Sequence, residues 1–120
     1  QRIQQAQVVN NFVDSLLAID PAARVIVLGD LNDFQFSAPL ATLAADVLNN
    51  LVSTLPAAEE YTYIFDGNSQ VLDHILLSDS LYSLPRVFDI VHANAEFSDT
   101  IRPTDHDPSV VKICLSGSCP

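Results

Sequence analysis

Three short stretches hold the side chains whose types and spacing suit chemistry. The first is Gly29-Asp30-Leu31-Asn32-Asp33, placed directly after an apolar, β-branched run. A strand end fixes its own backbone, and residues two apart point the same way, so Asp30 and Asn32 can share a site. A carboxylate beside a carboxamide suits a base that activates water and a donor that holds a phosphoryl oxygen. The same residue types also suit a plain turn or a helix cap. A calcium loop of EF-hand type is excluded: counting from Asp30, Ala41 stands where a bidentate glutamate is required.

The second stretch is Leu72-Asp73-His74-Ile75-Leu76. Strand neighbours face opposite sides, so only one of Asp73 and His74 can enter a given site. A carboxylate in an apolar strand is costly unless it is paired, and its natural partner is a histidine whose tautomer it fixes. His74 itself reads as a structural histidine. The third stretch is Thr104-Asp105-His106-Asp107-Pro108, which can bind a metal, orient a base, or simply turn the chain before proline. His92 has no acidic neighbour closer than Asp89 and reads as structural. None of the histidines has a zinc-type spacing.

Elements that position these residues follow from periodicity. Val9, Phe12, Val13, Leu16 and Leu17 share one face of an opening helix, which Asp20-Pro21 stops. Val25 to Leu28, apolar on both faces, suits a strand in a covered sheet. Ser37 can cap a short helix carrying Leu40, Leu43, Val47 and Leu48, with Pro39 tolerated in its first turn. Tyr61 to Phe65 and Val71 to Leu77 read as strands joined into a hairpin by Asp66-Gly67-Asn68. A helical turn at Asp79, a strand from Arg86 to His92, a polar loop from Asn94 to Asp107 and a strand from Ser109 to Leu115 complete the order. The expected fold class is α/β: one mixed β-sheet with flanking helices.

Composition sets outer limits. The 120 residues fit one domain, and a hydrophobic share of 48% excludes a wholly disordered chain. No apolar stretch approaches the ~20 residues of a membrane span. The net charge of −10 would repel nucleic acid unless bound cations change the local field. Cys114 and Cys119 enclose four residues, too many for a zinc-ribbon or thioredoxin motif, and a small disulfide between them would point to an oxidising compartment. The sequence has no methionine and starts at Gln1, so a piece of a longer protein is expected.

Taken in order, Gly29-Asp30-Leu31-Asn32, Leu72-Asp73-His74-Ile75-Leu76-Leu77-Ser78 and Thr104-Asp105-His106-Asp107-Pro108 resemble the C-terminal half of the endonuclease/exonuclease/phosphatase superfamily. Members share the fold of pancreatic deoxyribonuclease, and Gly29 to Pro39 and Tyr61 to Ser78 look most like bacterial extracellular nucleases. The resemblance runs from about Val9 to Leu115, with Thr104 in place of the family's serine. It implies half of a four-layer α/β sandwich over residues 1–115, a tail at 116–120, and a missing N-terminal half as partner. It also implies an extracellular or periplasmic phosphodiesterase acting on nucleic acid with Mg2+, or Mn2+ or Ca2+. The alternatives are a phosphomonoesterase, a phospholipid phosphodiesterase, or a binding module that kept the fold.

Roles carried over by the resemblance place Asp30 at the attacking water, Asn32 at the phosphoryl oxygen and Asp105 at the metal. His106, polarised by Asp73, would bind or protonate the reacting phosphate. The family's metal-binding glutamate lies in the missing half, and Glu59, Glu60 and Glu96 are not in its motif context. An isolated half is therefore expected to be inactive, with the inner face of its sheet exposed.

Overall fold

The computed structural model describes residues 1–116. Helix α1 (Arg2–Ile19) is followed by strand β1 (Ile26–Asp30), helix α2 (Ala38–Ala44) and strand β2 (Leu48–Asn50). After two 3₁₀ turns, Leu51–Thr54 and Ala57–Glu59, come β3 (Tyr63–Phe65), β4 (Asn68–Gln70) and β5 (Asp73–Ser78). A single helical turn, α3 (Asp79–Tyr82), leads to β6 (Arg86–Ile90) and β7 (Ser109–Ile113). The expected bridge from Cys114 to Cys119 lies outside the described residues. No described helix is long and apolar enough to cross a membrane.

The α/β class with flanking helices is as expected. Among the described residues, however, the strands form three sheets rather than one mixed sheet, and all four pairings are antiparallel. The central one has the order β1-β5-β2, with β3-β4 and β6-β7 as separate pairs. The predicted hairpin keeps its turn but changes its partner. Asp66 and Gly67 both have positive φ, the conformation a two-residue hairpin needs, and they join β3 to β4. Leaving that hairpin, the chain crosses to the central sheet, where β5 is buried along nearly all its length. Leu48 also departs from expectation: helix α2 ends at Ala44, and Leu48 enters β2.

Two apolar clusters sandwich β5. On one side Leu76 packs with Ala6, Val13, Leu40, Leu43 and Leu48 beneath α1 and α2. On the other, Ile75 and Leu77 meet Leu51 and Leu81, with Phe88, Val111 and Ile113 of the β6–β7 pair laid over them. Full burial of Leu76 and Leu77 contributes about 1.5–3 kcal/mol each. The buried stripe of α1 is turned from the one predicted: Phe12 is 62% exposed, while Asn10 is buried and donates from Nδ2 to Leu43 O at 3.2 Å.

Strand β1 corrects the covered-strand expectation. Ile26, Leu28 and Asp30 lie opposite Leu77, Ile75 and Asp73 on the same face. The β6–β7 pair covers the β5 residues there, yet Ile26 and Leu28 are 44% and 64% exposed. Apolar composition on both sides of β1 thus meets one covered face and one open face. The molecule is a slab, 23 Å in its thinnest dimension against 48 and 43 Å.

Candidate active site

At the end of β1 the backbone is built to present Asp30. Gly29 has φ +146°, a conformation side-chain-bearing residues rarely adopt, and Asn32 sits in the left-handed region at φ 49°, where asparagine is among the tolerated residues. Between them, Asp30 Oδ1 accepts the Asn32 N–H at 2.8 Å, closing a tight turn. The Asn32 amide makes no side-chain hydrogen bond among the described residues and is exposed. Arg2, at the start of α1, ties down the turn by donating to Asn32 O and to Asp33 Oδ2, the latter at 3.3 Å. A hydrogen bond from Ser37, with help from Arg2 and the Phe34 N–H, holds the Asp33 carboxyl below its usual range despite partial burial.

Strand alternation separates Asp73 from His74 as anticipated. His74 is fully buried on the helix side. Its Nε2–H donates to Asp33 O at 2.9 Å, and its Nδ1 accepts from Asn50 Nδ2 at 3.0 Å, so the ring is neutral and satisfied. Burial pushes its pKa down, against the pull of Asp33 O and nearby carboxylates. It is a structural histidine that fastens the Asp33 turn to β5.

Asp73 faces the other way. Its Oδ2 accepts the Nδ1–H of His106 at 2.6 Å, across 33 positions of sequence. That contact fixes the imidazole orientation and leaves Nε2 for another partner. Because Asp30 and Asp73 are register partners on adjacent strands, their side chains share a face. One ligand atom from each of Asp30, Asp73 and His106 lies within 4.8 Å of the others. A pocket on this face is lined by Leu28, Asp30, Asp73, Ile75 and Ser109. Ser109 Oγ is buried there without a hydrogen-bond partner among the described residues.

Asp105 is brought elsewhere. It is exposed and lines a shallow hollow with Asp99, Arg102 and Thr104. The three-residue group that could share an ion among the described residues contains Asp73 instead.

Several contributors were missed at the level of sequence. The Tyr63 ring stacks on His106 with centroids 4.8 Å apart. Asp107, buried, accepts the N–H groups of Ala93, Asn94 and Ala95 on Oδ1 at 2.7–3.0 Å and the His92 Nδ1–H on Oδ2 at 3.0 Å. Burial opposes its ionisation, but His92 and these N–H groups outweigh that and hold its pKa below the usual carboxylate value. His92 is further held by Glu59 at 3.2 Å and by the Tyr61 ring at 3.9 Å. Burial and the bond to Glu96 raise the Tyr61 hydroxyl to about 12, so it remains a donor. This frame grips the peptide unit that follows His106: Asn94 Nδ2 donates to His106 O at 2.8 Å, and Asp107 N–H donates to Thr62 O at 2.7 Å. The closely spaced Tyr61 and Tyr63 are the visible signal in the sequence, one ring meeting His92 and the other His106.

The sequence model described as the Endonuclease/Exonuclease/phosphatase family matches residues 1–101. Comparison with curated proteins found no match, and comparison with solved structures found none either.

Proposed function

This chain belongs to the endonuclease/exonuclease/phosphatase family, and on that premise we propose that it is the C-terminal part of a divalent-metal-dependent phosphodiesterase, a secreted nuclease hydrolysing DNA or RNA. Hydrolysis of phosphoester bonds is the family's chemistry, and its members generally use a divalent ion. The observation that carries the proposal is the meeting of Asp30, Asp73 and His106 on one sheet face.

The donor set fits such an ion. Magnesium takes one or two carboxylates from a protein and keeps several waters, which Asp30 and Asp73 can satisfy. The same pair of carboxylates also suits manganese. Calcium takes six to eight oxygen ligands, so it would draw on carbonyls and waters beside the two carboxylates. When bound, the ion would neutralise charge developing on the phosphoryl oxygens.

The side chains divide the remaining work. Asp30 orients water or takes its proton as the water oxygen bonds to phosphorus. Asn32, with its amide uncommitted, donates to a non-bridging oxygen. His106 supplies Nε2–H to the reacting phosphate or to the departing ester oxygen, and Asp73 stabilises the imidazolium that this requires.

The test uses the complete protein on plasmid and on a simple phosphodiester. Magnesium-dependent, EDTA-sensitive cleavage lost in His106→Ala is expected. The isolated chain, without the glutamate of the family's first half, is expected to cleave neither. Turnover insensitive to EDTA, or preserved in His106→Ala, would overturn the proposal.

A further inference from the structure

The β3–β4 hairpin is not used by the hydrolytic roles above, yet it abuts His106. Residues directly opposite in an antiparallel pair share a face, and the register sets Tyr63 against Gln70 and Phe65 against Asn68. One face of the hairpin therefore holds two aromatic rings and two carboxamides. Tyr63 stacks on the imidazole of His106 at 4.8 Å, and Phe65 continues the row at 6.3 Å with an interplanar angle of 18°. Phe65 is 54% exposed, so the outer end of the row is open to a further ring. The Gln70 amide makes no side-chain hydrogen bond among the described residues, and the Asn68 amide makes one long contact, to Asp66 O at 3.4 Å.

We propose that this face is a base-binding ledge, on which an unpaired nucleobase next to the cleaved bond stacks against Phe65 and is read by Asn68 and Gln70. The inference rests on the phosphodiesterase assignment and adds to it a preference for single-stranded over duplex nucleic acid. Three features of the ledge favour that occupant. It is continuous with the site, because its innermost ring touches the histidine assigned to the phosphate. Its four side chains are uncharged in a chain of net charge −10, with Asp66 confined to the turn at its tip. Its groups match a nucleobase, which offers a π-face to a ring and donor and acceptor edges to an amide. A paired base has its faces covered and its Watson–Crick edge engaged, so the ledge selects bases that are out of the stack.

The hairpin is also preorganised for this task. Thr62, at its base, accepts the Asp107 N–H on its carbonyl, while its hydroxyl accepts the Leu72 and Asp73 N–H groups at 3.1 and 3.3 Å. One residue thereby ties the ledge to both the His106 loop and the Asp73 strand.

The test is fluorescence anisotropy in EDTA, with the complete protein and labelled short probes. The probes are a single strand, the same backbone with abasic sites, and the duplex. The base-bearing single strand should bind about tenfold tighter than the abasic strand and tighter than the duplex, as one stacked base implies. Phe65→Ala should erase that preference, and Phe65→Trp should retain it. Equal binding of base-bearing and abasic strands, duplex preferred to single strand, no binding of any probe, or a preference intact in Phe65→Ala would overturn the ledge. Magnesium-dependent cleavage of the same strands is scored in parallel. Cleavage without base preference refutes the ledge alone, and base preference without cleavage refutes the phosphodiesterase assignment alone.

Discussion

Removing the Asp107 carboxylate should cost more than any other single change near the site. Asp107→Ala leaves the N–H groups of Asn94 and Ala95 without an acceptor, and both residues are buried. Each unsatisfied buried donor costs about 1–3 kcal/mol, so the expected loss is about 4 kcal/mol. The third donor, on exposed Ala93, can turn to water and adds little. Asp107→Asn is the informative control. Its carbonyl can keep the three N–H bonds, and its amide can donate to His92 Nδ1 while Nε2–H turns to Glu59. Only the charge-assisted part is lost, about 1–2 kcal/mol. Urea unfolding followed by circular dichroism at neutral pH measures both. With a slope of about 1.5 kcal/mol/M, the alanine midpoint should fall by about 2–3 M and the asparagine midpoint by about 1 M. An alanine variant within about 1 kcal/mol of the parent, or an asparagine variant as damaged as alanine, would refute the assignment of Asp107 as the clamp of this loop.

Asp73→Asn should lower kcat by on the order of 10⁴-fold with little change in KM, because an amide facing Nδ1 selects the wrong tautomer of His106; steady-state kinetics showing less than a tenfold loss would contradict the dyad. Stability should fall in two steps on acidification, measured as urea midpoints from pH 7 to pH 3. His74 has a lowered folded pKa, so the unfolded chain binds the proton first. Its contribution is present above the ordinary value of 6.5 and lost as pH drops toward the folded value. Asp107 and Asp33 are also lowered, so their share is present above 3.8 and lost below it, and Asp107→Asn should shrink that second step while leaving the first unchanged. Ser37→Ala removes the acceptor for the Leu40 N–H at the start of α2 together with the hydroxyl bonded to Asp33; a loss of about 1 kcal/mol or more in thermal or urea unfolding is expected, and no loss would discount the cap.

The sequence alone placed the local devices, because each is set by neighbours in the chain. Asp20-Pro21 ends α1, Ser37 caps α2, and Asp66-Gly67 makes the hairpin turn, since these depend on backbone preferences within a few residues. The strand carrying Asp73 and the opposite facing of Asp73 and His74 follow from a two-residue period. The pairing of Asp73 with His106 was also legible, from the cost of a lone carboxylate in an apolar strand joined to the family resemblance. What faces each element was not. Alternation cannot say which strand lies alongside, so β3 was given β5 as its partner when the turn delivers it to β4. Nor can a helical stripe show that Asn10, by donating to Leu43 O, turns α1 so that Phe12 faces outward. His92 gave no sign of its two carboxylates, because Asp107 and Glu59 are brought to it by the packing of distant loops. Asp105 and Asp73 look equally suited to a metal in a string of letters. Only the registration of β1 against β5 sets Asp73 beside Asp30, while Asp105 stands exposed in the loop before β7, because which side chains meet is a property of distances between strands, not of spacing along one.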